Sequence, residues 1–233
     1  MTIFRYALLR GVRAPLSLLV NCIVPLVLIF IRPLWVGDGI NGFLQGFGLL
    51  AFVMMGGSFL MSMSILTDKI DGAIIRILSA PITMRRYLTE NLLSCMVPLT
   101  IQTLLISVLG FFLYDWSFHL TIVVFLCYTM LILSSVSMSF AWHCVFKTKD
   151  SSAGAFGLVL TLSAMLGGAM VPLEILPGIL EYIGAVFPLY WMMRGLLSAA
   201  MYGTMTTMFW LGLLAMALFT IAYLLYGGRR RLV

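Results

Sequence analysis

Residues 120–146 read LTIVVFLCYTMLILSSVSMSFAWHCVF, a run without Asp, Glu, Lys or Arg and with one histidine, His143. About 20 apolar residues in a helix cross the roughly 30 Å of bilayer hydrocarbon, so this run spans with residues to spare. In lipid a helix satisfies every backbone N–H and C=O within one segment, which makes it the form such a run takes. Ser134, Ser135, Ser137 and Ser139 inside it are small residues that let a neighbouring helix approach closely.

Working outward, runs of the same kind occupy residues 16–35, 43–66, 92–114, 152–171 and 208–226, which makes six expected spans. Another apolar stretch, 172–200, is interrupted by Pro177 and Pro188 and carries Glu174, Glu181 and Arg194. It reads as a re-entrant helical hairpin, a form that survives at membrane depth only where protein satisfies its backbone. With 9% charged and 62% hydrophobic residues, the chain has too little charge to cover a soluble surface. The expected fold is an all-α polytopic membrane protein, one transmembrane domain over residues 1–233.

The +6 net charge is arranged for a membrane rather than for nucleic acid. With both termini inside, Arg5, Arg10, Arg13, Lys69, Arg76, Arg85, Arg86, Lys147, Lys149, Arg229, Arg230 and Arg231 are cytoplasmic. Only Arg32 and Arg194 fall outside, a 12 to 2 split of the 14 basic residues that sets the orientation. Residues 1–14 mix Arg5, Arg10 and Arg13 with Ile3, Phe4, Leu8, Leu9 and Val12. They read as an amphipathic helix on the inner membrane surface, or as a basic tail that only sets orientation. Cys22, Cys95, Cys127 and Cys144 lie in apolar runs without CxxC spacing and read as buried free thiols.

Residues 67–90 form the longest inner connection and contain Asp68-Lys69-Ile70-Asp71-Gly72, Arg76-Ile77-Leu78-Ser79-Ala80-Pro81-Ile82 and Arg85-Arg86-Tyr87. Ile70, Ala73, Ile74, Ile77 and Leu78 recur at helical spacing and make one apolar face. Pro81 ends that helix, because the residue before a proline is pushed out of the helical region. A short surface helix there could receive force from a soluble partner; a solvated connector is the other reading.

These residues resemble the signature loop of the type-2 ABC transporter permeases, the membrane subunits of ATP-binding-cassette exporters. A second region is similar to the family's proline-marked pair of half-membrane helices: Val171-Pro172-Leu173-Glu174-Ile175-Leu176-Pro177, then Phe187-Pro188-Leu189-Tyr190-Trp191 and Arg194-Gly195-Leu196. One departure is Ile75, where many members carry an acidic residue three positions after the glycine. The resemblance implies a permease in a bacterial plasma membrane that pairs with a second copy or a homologue and docks cytoplasmic ABC ATPase subunits. ATP and Mg would sit on those partners. Asp68, Lys69, Asp71, Gly72, Arg76, Pro81, Arg85 and Arg86 would form the coupling loop. Pro172, Leu176, Pro177, Pro188, Tyr190 and Arg194 would form the outer gate. Because the first, second and fifth spans border the path in such proteins, Asn21, Met55, Ser58, Ser62 and Ser163 are candidates for its lining. Hydrogen bonding between helices is the alternative role for them.

One absence agrees with an engine on another polypeptide. A Walker A loop needs Gly-Lys, since the lysine must reach nucleotide phosphates. The three lysines here follow Asp68, Phe146 and Thr148. The expected function is export of a drug, an antimicrobial peptide or a lipid-like molecule by alternating access, with a lipid-linked glycan as the alternative cargo. A secondary carrier or channel would require charge within the spans, and an embedded enzyme would require convergent catalytic groups; neither pattern is present.

Overall fold

The computed structural model describes residues 2–13, 15–31, 35, 40–78 and 83–229, and every regular element among them is helical. Helix α1 (Thr2–Arg13) leads into a segment made of α2 (Pro15–Leu18), a π turn (Leu19–Ile23) and α3 (Val24–Phe30). There follow α4 (Ile40–Ile70), α5 (Ala73–Leu78), α6 (Met84–Tyr114), α7 (Phe118–Val145) and α8 (Lys149–Leu166). A 3₁₀ turn (Leu173–Ile175), α9 (Gly178–Gly184), α10 (Pro188–Tyr202) and α11 (Thr207–Arg229) complete the order. Residues 79–82, which include Pro81, lie outside the described set, as do Arg32, Arg230 and Arg231.

Helix starts are written locally. Thr83, Ser117 and Thr148 stand at the N-caps of α6, α7 and α8, and their hydroxyls accept from the backbone N–H of Arg86, Leu120 and Ser151. Asp115, in the left-handed region at φ 51°, closes α6.

Among the described residues, four helices are long and apolar enough to cross a membrane: Gln45–Ile70, Arg86–Tyr114, Phe118–Val145 and Thr207–Gly227. They match the expected second, third, fourth and sixth spans. Of the expected first span, 16–35, residues 32–34 lie outside the described set, and Leu19–Phe30 forms a shorter apolar helix that opens on the π turn. The expected fifth, 152–171, is α8, which opens on Lys149 and Asp150 and stops at Gly167. Its polar first turn leaves too little apolar length to meet the same measure. Helices α9 and α10 bend by 109° at their junction, the geometry of a broken span or a re-entrant loop.

The core sits around α4 and α7, whose apolar windows are 61% and 56% buried against 28% for α11. Helix α7 packs on α4, α6, α10 and α11, while α8 lies against α4. Met54, Met55 and Leu50 of α4 and Leu131, Ile132 and Val136 of α7 belong to that core. The serines of α7 fit this packing: Ser134, Ser135, Ser137 and Ser139 are all buried. Cys95 and Cys127 are buried thiols as expected, but Cys22 on the π turn is exposed, because that short segment is covered on one side only.

Candidate functional site

The end of the bundle that carries residues 67–90, the expected inner end, gathers the polar side chains of that connection. Helix α4 continues past the apolar run, so Asp68 and Lys69 stand on its last turn rather than in a loop. Asp71 and Gly72 make the turn that follows, and Gly72 adopts φ 66°, a conformation open to glycine at little cost. Helix α5 then runs only from Ala73 to Leu78, a shorter piece than the apolar spacing suggested, because that turn cuts it off from Ile70. Ile74 is buried under it and Ile70 is exposed.

Asp68 faces inward. Its two oxygens accept from Arg10 Nη1 and Nη2 at 2.6 and 3.0 Å, and Oδ2 also accepts from the Tyr87 hydroxyl at 2.7 Å. The bidentate fork is the strongest geometry available to such a pair. The hydrogen bond to Asp68 holds the Arg10 guanidinium above its ordinary range. Glu90 of α6 ties the other end of α1: Oε2 accepts from the Phe4 backbone N–H at 3.0 Å, and Oε1 from Arg86 Nε at 2.9 Å. A carboxylate at a helix N-terminus satisfies an orphan donor and favours the helix dipole. The amphipathic segment is thus a helix clamped at both ends, to α6 and to the end of α4.

Lys69 also points inward. Its ammonium donates to the backbone carbonyls of Cys144 (2.9 Å), Phe146 (3.1 Å) and His143 (3.4 Å). A cation on the last carbonyls of α7 satisfies acceptors that the helix leaves unpaired. Of the expected coupling residues, Asp68 and Lys69 therefore join helices of this chain, and Asp71, Arg76 and Arg86 are exposed on the inner side. Pro81 and the side chain of Arg85 fall outside the described residues.

One inner contact was missed by the sequence reading. His143 is fully buried, with Nε2 3.0 Å from Ser62 Oγ and Nδ1 3.3 Å from Ser152 Oγ. It links α7 to α4 and α8, and its ring packs on Phe59 at 4.9 Å. The available signal was a lone ionisable residue within an apolar run, which in a membrane calls for a partner.

The candidate path residues are all buried within the single chain. Ser58 donates to Met54 O, Ser62 to Phe59 O and Ser163 to Leu160 O, each within its own helix. Asn21, on the π turn, donates through Nδ2 to Ser17 O and Ser17 Oγ and across to Gly57 O at 3.3 Å. Its Oδ1 has no partner among the described residues. Gly57 permits this approach, since a Cβ there would stand 1.9 Å from that oxygen.

At the opposite end, Pro188 opens α10 and places Tyr190 and Arg194 over α9. Tyr190 donates to Glu181 Oε1 at 2.9 Å, and Arg194 contacts both Glu181 and Tyr190. Pro172 and Pro177 flank the 3₁₀ turn, with Leu176 closing it. The expected gate residues thus fall on one structure, the bent pair and its approach.

Residues 36–228 match the family model described as ABC-2 family transporter protein. The match covers well over half of the chain and contains both the inner connection and the bent outer pair. No curated protein matches the chain.

Proposed function

The chain belongs to the ABC-2 transporter family, and we propose from that premise that it is the membrane-spanning subunit of an ATP-driven exporter. As a permease subunit it works with an ABC ATPase on a separate polypeptide. In this reading two copies, or one copy and a homologue, enclose a path that opens alternately to each side, with cargo entering from the cytosol or the inner leaflet. The cargo class is a drug, an antimicrobial peptide or a lipid-like molecule. Short outer connections support this, since α6 and α7 are joined by residues 115–117 alone, too few to form a capture domain.

The observation that carries the proposal is the clamped inner platform. The end of α4, the start of α6 and α1 are bound into one piece by Arg10, Asp68, Tyr87, Glu90 and Phe4. A push on the exposed face with Asp71 and Arg76 reaches α4 and α6 together, rather than deforming a loose loop. Asn21, Met55, Ser58, Ser62 and Ser163 meet cargo when the helices that bury them part. The bent pair with Glu181, Tyr190 and Arg194 acts as the outer gate.

The test is a double charge reversal, Asp71→Arg with Arg76→Glu, read by co-purification of the ATPase and by ATP-dependent transport. Loss of an interfacial charge contact costs about 2–5 kcal/mol when its partner is left unpaired. The expected outcome is weakened assembly or uncoupled hydrolysis with normal membrane insertion, while Glu181→Arg leaves ATPase association unchanged. Wild-type assembly and transport in the double variant would remove this surface from the mechanism.

A further inference from the structure

Outside the regions used above, α7 and α11 enclose a groove of about 390 Å³ on the flank of the bundle. Met138, Ala141 and Trp142 of α7 and Ala222, Tyr223 and Tyr226 of α11 form most of its walls. The two helix ends are level. Gly227 lies beside Ala141, at 3.7 Å from a Cβ built on the glycine, and its carbonyl accepts a weak bond from Cys144 Sγ at 3.9 Å. The groove therefore lies along the final turns of both spans and opens toward lipid, since Ala222 and Tyr226 are exposed.

Basic residues follow both helix ends in the chain. Lys147 and Lys149 are exposed just beyond α7, with Asp150 the acidic neighbour, and α11 ends on Arg229 with Arg230 and Arg231 next in sequence. Trp142 and Tyr226 line the groove on the last turns of α7 and α11, and amphipathic aromatic rings of this kind favour the membrane interface. A second copy of the chain packed symmetrically here would bring this basic group against itself, and like-charge juxtaposition opposes that contact. An anionic amphiphile is complementary to both parts.

We propose that the groove binds one anionic phospholipid of the inner leaflet, with an acyl chain along Met138, Ala141 and Ala222 and the phosphate at Lys147 and Lys149. Basic pockets between spans on the cytoplasmic side have the chemistry for such headgroups. The proposal rests on the inward orientation of the basic ends and not on the exporter reading, so either can fail alone.

The test reconstitutes the full chain in nanodiscs of equal parts phosphatidylglycerol and phosphatidylcholine and measures retained lipid by native mass spectrometry. Phosphatidylglycerol should be retained preferentially. At about fivefold for each lysine near the headgroup, Lys147→Glu with Lys149→Glu should reduce the preference by roughly thirtyfold or more. Ala222→Trp, an exposed substitution that fills the groove and spares the lysines, should abolish retention. Arg5→Glu on α1 should change nothing. Equal retention of the two lipids would reduce the groove to ordinary lipid contact. A preference that survives Ala222→Trp would mean surface charge alone. Cross-linking of two copies through Ala222→Cys would hand the groove to a second chain. Each of these three results overturns the proposal.

Discussion

The two ends of the bundle hold their helices together by different means. At the inner end the ties are directional and polar: Arg10 and Tyr87 to Asp68, Lys69 to the last carbonyls of α7, and His143 between Ser62 and Ser152. At the other end, beside the polar Glu181–Tyr190–Arg194 contact of the bent pair, an aromatic cluster joins the longer helices. Trp35, Phe47 and Trp116 lie with ring centroids 5.1 to 5.6 Å apart, joined by Tyr114 and Tyr128 at up to 6.4 Å. Two of their polar atoms serve the backbone: the Trp35 indole and the Tyr114 hydroxyl donate to Leu28 O and Ile29 O at the end of α3. Aromatic packing tolerates small displacements with little change in energy, whereas a bidentate ion pair has one good geometry. Under the proposed function, the end with Asp68 carries a displacement from one helix to the next, while the aromatic end holds four segments together.

Substitutions that break this contrast should differ in size and in what they disturb. The largest effect belongs to Phe47→Ala at the outer cluster. Phe47 is fully buried, and such truncations cost about 3–5 kcal/mol. Thermal unfolding of the solubilised protein should drop clearly, while binding of the ATPase partner survives in whatever protein remains folded. Unchanged melting would show that the cluster is not what closes the outer end.

Asp68→Ala comes next. Arg10 is 44% exposed at its side chain and can turn to water, so the larger loss is the Tyr87 hydroxyl, left buried without its acceptor. That costs about 1–3 kcal/mol. Here coupling should suffer more than stability: hydrolysis by the ATPase continues and transport falls, because α1 and α6 no longer move with α4. If transport and melting temperature fall in proportion, the platform is a structural brace only.

The smallest effect is Ser62→Ala, which removes one hydroxyl from His143. Polar contacts between membrane helices average about 0.6 kcal/mol. A shift near that size, with transport retained, identifies Ser62 as a packing contact. A large transport defect at the same small stability cost would give Ser62 to the path.

Apolar run lengths and the placement of charge were enough to read the membrane class, four of the spans and the two regions that resemble the family. Those are consequences of the solvent: lipid demands long uninterrupted apolar helices, and any departure from that pattern is visible in a single sequence. At the first and fifth expected spans apolar content says least, because it does not reveal the π turn at Leu19–Ile23 or the polar start of α8. The polar residues of the 67–90 connection are plain in the sequence, but not their directions. A carboxylate in a motif looks alike whether it faces a partner or Arg10, which stands 58 positions earlier in the chain. That choice belongs to tertiary structure, for a physical reason. A charge at the membrane boundary takes the nearest complementary group, and which group is nearest depends on how α1, α4 and α6 pack, a distance that no local pattern encodes.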